Sequence, residues 1–116
     1  MSAGRHDVVP QRGEVWWVSL DPTQGSEIRK TRPCLVLSAN PLNRLRSTVV
    51  VVPLSTAAQA HPPITVAVRC RQRDAVAVID QVRAVAKHRL RAKIETASDE
   101  DMRNVLAALA RVLEMR

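Results

Sequence analysis

From Glu14 to Leu20 the chain alternates, with Val15, Trp17 and Ser19 on one side and Glu14, Trp16 and Val18 on the other. That two-residue period predicts a strand. Asp21-Pro22 ends it, because proline cannot donate to a ladder. A polar loop follows, carrying Gly25, Ser26, Glu27, Arg29, Lys30, Thr31 and Arg32. Pro33 disfavours helix at Arg32. The run Cys34 to Leu37 is wholly apolar, which predicts a second strand over Cys34–Ser38 buried on both faces. Asn40-Pro41 marks a turn and Leu42 to Ser47 reads as a second polar loop. Thr48–Leu54 is a β-branched run and a third strand. A small-residue loop runs through His61-Pro62-Pro63 to a short strand, Ile64–Val68. Arg69 to Asp74 reads as a charged turn, Ala75–Val82 as another strand, Val85–Leu90 as a segment with one helical turn, and Ala92–Ile94 as a last short strand.

The pattern then changes period. Met102, Val105, Leu106, Leu109, Val112 and Leu113 recur at steps of three and four, the stripe of an amphipathic helix. Ser98 is placed to cap it, and Asp99, Glu100 and Asp101 occupy a first turn whose dipole favours negative charge. Five or more short strands followed by one helix predict a mainly β domain: a small, strongly bent antiparallel sheet closed like a barrel, with the helix packed on it. The length of 116 residues suits one domain, here residues 12–116, behind a flexible N-terminal lead at residues 1–11.

Composition sharpens this picture in three ways. Phe and Tyr are absent and there are two Trp, so the core is built from Val, Leu, Ile and Ala. The net charge of +7 is unevenly spread: residues 1–94 carry a surplus of nine basic side chains, and residues 95–116 a surplus of two acidic ones. Most of the bases are arginine, whose planar fork grips phosphate; a highly charged solvated surface would show the same balance. The two cysteines, Cys34 and Cys70, lie in apolar settings without a CxxC or Cys/His cluster, so they read as buried thiols and not as metal ligands. No run spans a membrane and the N-terminal segment is polar, which places the protein in the cytoplasm.

Several residues are candidates for chemistry. Cleavage of a phosphodiester asks for a proton removed, a proton supplied and the negative charge on the phosphate oxygens stabilised. Arg32 suits the last task, since it joins a polar loop to a rigid strand; a surface ion pair with Glu27 is the plainer reading. Ser55 and Thr56 offer hydroxyls at a strand end, or simply satisfy turn backbone groups. Asp80, Gln81 and Arg83 form a third group, in which Asp80 is either functional or one half of a structural ion pair. Arg29, Lys30, Arg44, Arg46 and Arg69 lie in loops, contacting phosphate or merely solvated. His6, His61 and His88 read as surface residues. Trp16 and Trp17 could stack bases, but on a strand one of the two belongs to the core.

The run RGEVWWVSLDPTQGSEIRKTRPCLVLS resembles the opening of the MazF/PemK toxins, ribosome-independent endoribonucleases paired with an antitoxin. TVVVVPLST (Thr48–Thr56), AVAVIDQVRAVAKHRL (Ala75–Leu90) and IETASDEDM (Ile94–Met102) fit the same family in the same order. The resemblance implies an SH3-like barrel of the CcdB/PemK type. It implies that Arg32, before Pro33, is the catalytic arginine, aided by Ser55 or Thr56, with Glu27, Arg29, Lys30, Thr31, Asp80, Gln81 and Arg83 along the RNA path. Ser55 stands where the family usually has Thr. Val78 stands where PemK-like members have an Arg, so the MazF version of the site is the one implied. The family works as a homodimer on single-stranded RNA, needs no metal or organic cofactor, and is silenced by a cognate antitoxin. Two other functions remain open: a non-catalytic module of the same barrel that binds RNA or protein, and a gyrase poison. The chain ends Leu113-Glu114-Met115-Arg116 and lacks the Trp-Gly-Ile on which the gyrase poisons of this fold depend.

Overall fold

The computed structural model describes residues 8–20 and 31–115. Among these residues are seven strands and two helices: β1 (Glu14–Ser19), β2 (Thr31–Val36), α1 (Asn40–Leu45), β3 (Thr48–Ser55), β4 (Thr65–Cys70), β5 (Arg73–Val78), β6 (Arg83–Ala86), β7 (Leu90–Thr96) and α2 (Asp99–Val112). Single 3-10 turns occupy Ile79–Gln81 and Lys87–Arg89. All strand pairs are antiparallel. The ladder runs β4-β5-β3-β2-β1-β7, with β6 also on β3.

The expected closed barrel is replaced by an open, curled sheet: among the described residues, the outer strands β4 and β7 are not paired to each other. The reason lies in β3. It pairs with β6 through Thr48–Val51 and with β5 through Leu54 and Ser55. Pro53, which has no N–H to give, stands at the division. One strand therefore feeds two partners in succession, and the sheet bends there instead of closing.

Side-chain alternation splits the core in two. On one face Val15, Leu35, Leu37, Val52 and Leu54 pack with residues of β4 and β5 and with Val105 and Ala108 of α2. On the other, Trp16, Val18, Cys34, Val36, Val49, Val51 and Val85 form a second cluster. Cys34 to Leu37 thus feed both faces, as their unbroken apolar run predicts. Each such Val or Leu taken out of water contributes about 1.5–3 kcal/mol. In α2 the Ser98 hydroxyl accepts the Asp101 N–H at 3.0 Å, and Met102, Leu106, Leu109 and Val112 pack half-buried on the first cluster. Leu113 falls at the helix end and is 54% exposed, so it drops out of the expected stripe.

Other boundaries shift for local reasons. β2 begins at Thr31, ahead of Cys34, because Arg32 and Pro33 stay paired opposite Val18 and Trp17. The expected polar loop at Leu42 to Ser47 is largely the short helix α1; Pro41 sits in its first turn, where proline's fixed φ fits and no N–H is needed. The charged turn from Arg69 to Asp74 narrows to a two-residue hairpin: Arg71 and Gln72 have φ of 56° and 64°, as a turn of matching twist requires. β5 stops at Val78, so Asp80 and Gln81 lie on a 3-10 turn and not in a strand. The Val85–Leu90 segment is the end of β6, a 3-10 turn and the start of β7, and the last strand is longer than Ala92–Ile94. Gly13, at φ 92°, carries the chain into β1 while its N–H and carbonyl bond Val36 and Ala97, a conformation an L side chain would strain. Among the described residues no helix is long and apolar enough to cross a membrane.

Candidate active site

The register of the sheet sets the site. Cys34 pairs with Pro53 and Leu35 with Val52. The ladder ends there, and Arg32 of β2 and Ser55 of β3 lie just beyond its end. Both side chains line an open hollow of about 430 Å³, together with Thr31, Thr56 and, from the β4–β5 hairpin, Arg71 and Arg73. A smaller hollow of about 300 Å³ shares Arg32 and Ser55 and adds Gln81. The arginine and the serine therefore sit at the junction of two depressions, a shape suited to a chain ligand running from one into the other.

The polar partners at this junction are few. Among the described residues nothing forms an ion pair or hydrogen bond with the half-buried Arg32 side chain. Ser55 Oγ accepts the Ala57 N–H at 3.2 Å, and among the described residues nothing accepts its own proton. Thr56 is more exposed and lines only the larger hollow. A guanidinium beside a hydroxyl can stabilise charge on a phosphorane and hold the phosphate that carries it.

The remaining expected residues divide. Thr31 is exposed at the mouth and Gln81 in the smaller hollow. Asp80 is exposed and lines neither depression, and among the described residues it has no ion-pair partner. Arg83, on β6 opposite Val51, also lines neither, yet its charge reaches Cys34 as that of Arg32 does. Burial pushes the Cys34 thiol up to about 12; the two guanidiniums pull it down and lose. Glu27, Arg29 and Lys30, and with Glu27 the alternative ion pair of Arg32, lie outside the described residues. Arg69 is not spare: it bonds Asp74 at 2.7 Å on the surface. Both cysteines are free and buried, and burial, followed by the neighbouring Glu95, raises the Cys70 thiol. Among the described residues no group of His, Cys, Asp and Glu is arranged to hold a metal ion.

Arg71 and Arg73 were hidden from sequence reasoning inside a charged turn. Their signal was available, since a two-residue hairpin places flanking residues at a sheet corner, but nothing local says which hollow that corner overhangs. Trp16 and Trp17 separate cleanly. Trp16 is buried, its indole N–H donating to Glu14 Oε1 at 2.9 Å. Burial raises the carboxyl of Glu14, but bonds from the Gln11 N–H, the Trp16 indole and Lys93 outweigh it and hold the group below its usual range. Trp17 points the other way, into the larger hollow.

A curled antiparallel sheet with one C-terminal helix and an arginine–hydroxyl pair in an arginine-lined depression defines a small β protein with a site suited to an anionic ligand. Residues 11–113 match the family described as PemK-like, MazF-like toxin of type II toxin-antitoxin system, and the chain belongs to that family. The endoribonuclease toxin MazF of Escherichia coli K12 is 34% identical over 102 residues, covering 87% of this chain and 91% of the relative. Among solved structures, MazF from Deinococcus radiodurans superposes with a TM-score of 0.79 at 25% identity, over 94% of this chain and 100% of that one. A mycobacterial endoribonuclease in complex with its cognate antitoxin superposes at 0.78 and 25% identity, over 92% and 97% of the two chains.

Proposed function

We propose that this protein is a toxin endoribonuclease that cuts single-stranded RNA at a short specific sequence, leaving a 2′,3′-cyclic phosphate and a 5′-OH, and that a cognate antitoxin restrains it. The observation that carries this reading is the meeting of Arg32 and Ser55 in one open, arginine-lined hollow. Arg32 stabilises the phosphorane and donates to the departing 5′-oxygen, and solvent takes the proton that the attacking 2′-OH releases. Ser55, or Thr56 beside it, holds a non-bridging oxygen. The charge of the arginines does the work a divalent cation does elsewhere, so the reaction proceeds without metal. Thr31, Gln81 and the cations Arg29, Lys30 and Arg83 guide the strand, with Glu27 and Asp80 beside its path.

The reading includes action in the cytoplasm as a homodimer, whose stoichiometry sedimentation equilibrium reports. Exposed Leu42 and Leu45 on α1 give a second copy apolar surface to cover. The relatives named as endoribonucleases and the neighbour seen with its antitoxin support the assignment of activity and partner.

Defined RNAs incubated with purified protein in excess chelator provide the test. Cleavage with mapped 5′-OH ends is the expected result, and Arg32→Ala lowers it by about 10²–10³-fold or more while its circular dichroism is unchanged. Well-folded Arg32→Ala that still cuts at the wild-type rate would refute the role of Arg32. No cut in any sequence, with RNA still bound, would favour a binding module in place of the nuclease.

A further inference from the structure

The hollow that holds Arg32 and Ser55 has one aromatic wall that the cleavage chemistry does not use. Trp17 is half-buried and faces that hollow, and among the described residues its indole N–H makes no hydrogen bond. A core tryptophan is normally covered or bonded; Trp16, one residue earlier, is both. What covers the Trp17 ring is the guanidinium of Arg71, 5.3 Å from its centroid. Arg71 reaches over from the tip of the β4–β5 hairpin, where its φ is 56° and its N–H is bonded to Glu95 Oε2 at 2.8 Å. The backbone of Arg71 is thus anchored, and its long side chain is the movable part.

A guanidinium is flat, cationic and about as thick as a nucleobase, and it holds an aromatic face by the same stacking and cation–π attraction that a base would replace. At 5.3 Å there is no room for a base between the two. A base can take the ring only by displacing the guanidinium. Resting on the nuclease reading above, we infer that Trp17 is the platform on which one base beside the cut phosphate stacks, and that Arg71 then leaves the ring for the RNA backbone. Arg73, in the same hollow, supplies a second cation on that path. Stacking on an open face tolerates any base, so Trp17 sets the grip on a flanking nucleotide and leaves hydrogen-bond readout to other groups.

Abasic scanning of a cleaved oligonucleotide tests the inference. Trp17→Leu is expected to lower kcat/KM by about 5- to 150-fold, mainly through KM, and Trp17→Phe to retain most of the activity. An abasic nucleotide at one position next to the cut should cost the wild type a similar factor and cost Trp17→Leu almost nothing. Equal abasic penalties in both proteins at every position would overturn the platform. A second arm does not depend on cleavage. In Trp16→Phe, Arg32→Ala protein, Trp17 is the sole fluorophore, and the intact oligonucleotide should quench it while its abasic counterpart does not. Should that double variant fail to fold, 5-fluorotryptophan in the otherwise native chain gives two ¹⁹F resonances, of which RNA should move only that of Trp17. Absence of any base-dependent change at Trp17 sinks the platform whether or not RNA is cut. A wild-type protein that cuts nothing yet shows the base-dependent change would sink the nuclease and leave the platform standing.

Discussion

Ser55 and Thr56 differ by one position and offer the same functional group, so geometry must choose between them. Ser55 is half-buried, lines both depressions with Arg32, and has one of its lone pairs engaged by the Ala57 N–H. That bond limits its rotamers even without the methyl group that stiffens threonine. Thr56 is exposed and borders one hollow. A donor held in place before the reaction begins stabilises developing charge more than one that must be recruited. Ser55→Ala is therefore expected to lower kcat by about 10²-fold. Thr56→Ala should cost less than about tenfold, the range of one ordinary solvent-exposed hydrogen bond. Single-turnover cleavage of one substrate by both variants measures this, and the reverse order of effects would move the working hydroxyl to Thr56.

At the level of elements, α1 shows what a sequence conceals. Its stretch, NPLNRL, is six residues long and too short for a periodic stripe, so it reads as a loop. The structure fixes it by one polar residue. Asn43 is fully buried; its Nδ2 donates to the Pro10 carbonyl at 3.1 Å and the Ser38 carbonyl at 3.0 Å, and its Oδ1 accepts the Ser38 hydroxyl. Three segments are pinned by one amide. Asn43→Ala leaves one buried and one half-buried carbonyl unmet and is expected to lower stability by roughly 2–4 kcal/mol. Urea unfolding measures it, and a loss below about 0.5 kcal/mol would mean that water replaces the amide. Elements carried by side-chain period were legible: β1, the doubly buried stretch of β2, β3, and α2 with its Ser98 cap. Elements set by long-range partners were not, because the split of β3 between β5 and β6, and the turn that lifts Asp80 and Gln81 off β5, depend on strands distant in sequence. For the candidate site the same division holds. Local context made Arg32, Ser55 and Thr56 candidates alongside plainer readings and the family resemblance picked them out, whereas Arg71 and Arg73 reach the hollow only because a hairpin folds over it.

Charge is the property of the whole molecule that bears on function. The arginines of the larger hollow, Arg32, Arg71 and Arg73, come from three strands or turns and converge only in the fold. Acidic side chains gather in the C-terminal stretch instead: Asp99, Glu100 and Asp101 open α2, where they offset its dipole. Asp101 Oδ2 nevertheless accepts the Arg69 N–H at 3.0 Å, so this acidic turn borders the β4–β5 hairpin, and the charge that draws a polyanion is the local one of the hollow. If RNA displaces counterions at the arginine-lined hollow, the logarithm of its binding constant falls linearly with that of salt, by about 0.7 per neutralised phosphate for a single strand. Arg73→Ala removes one such contact and should reduce the slope by about 0.7. Glu100→Gln raises the net charge by the same unit that Arg73→Ala lowers it, but on the exposed helix start, and should leave the slope unchanged while shifting affinity only slightly at low salt. Fluorescence anisotropy of a labelled oligonucleotide, titrated at four or more salt concentrations, separates the two. Equal slopes in the wild type, Arg73→Ala and Glu100→Gln would mean that Arg73 neutralises no phosphate, and slopes displaced by the same amount in opposite directions would mean that net charge alone attracts the strand.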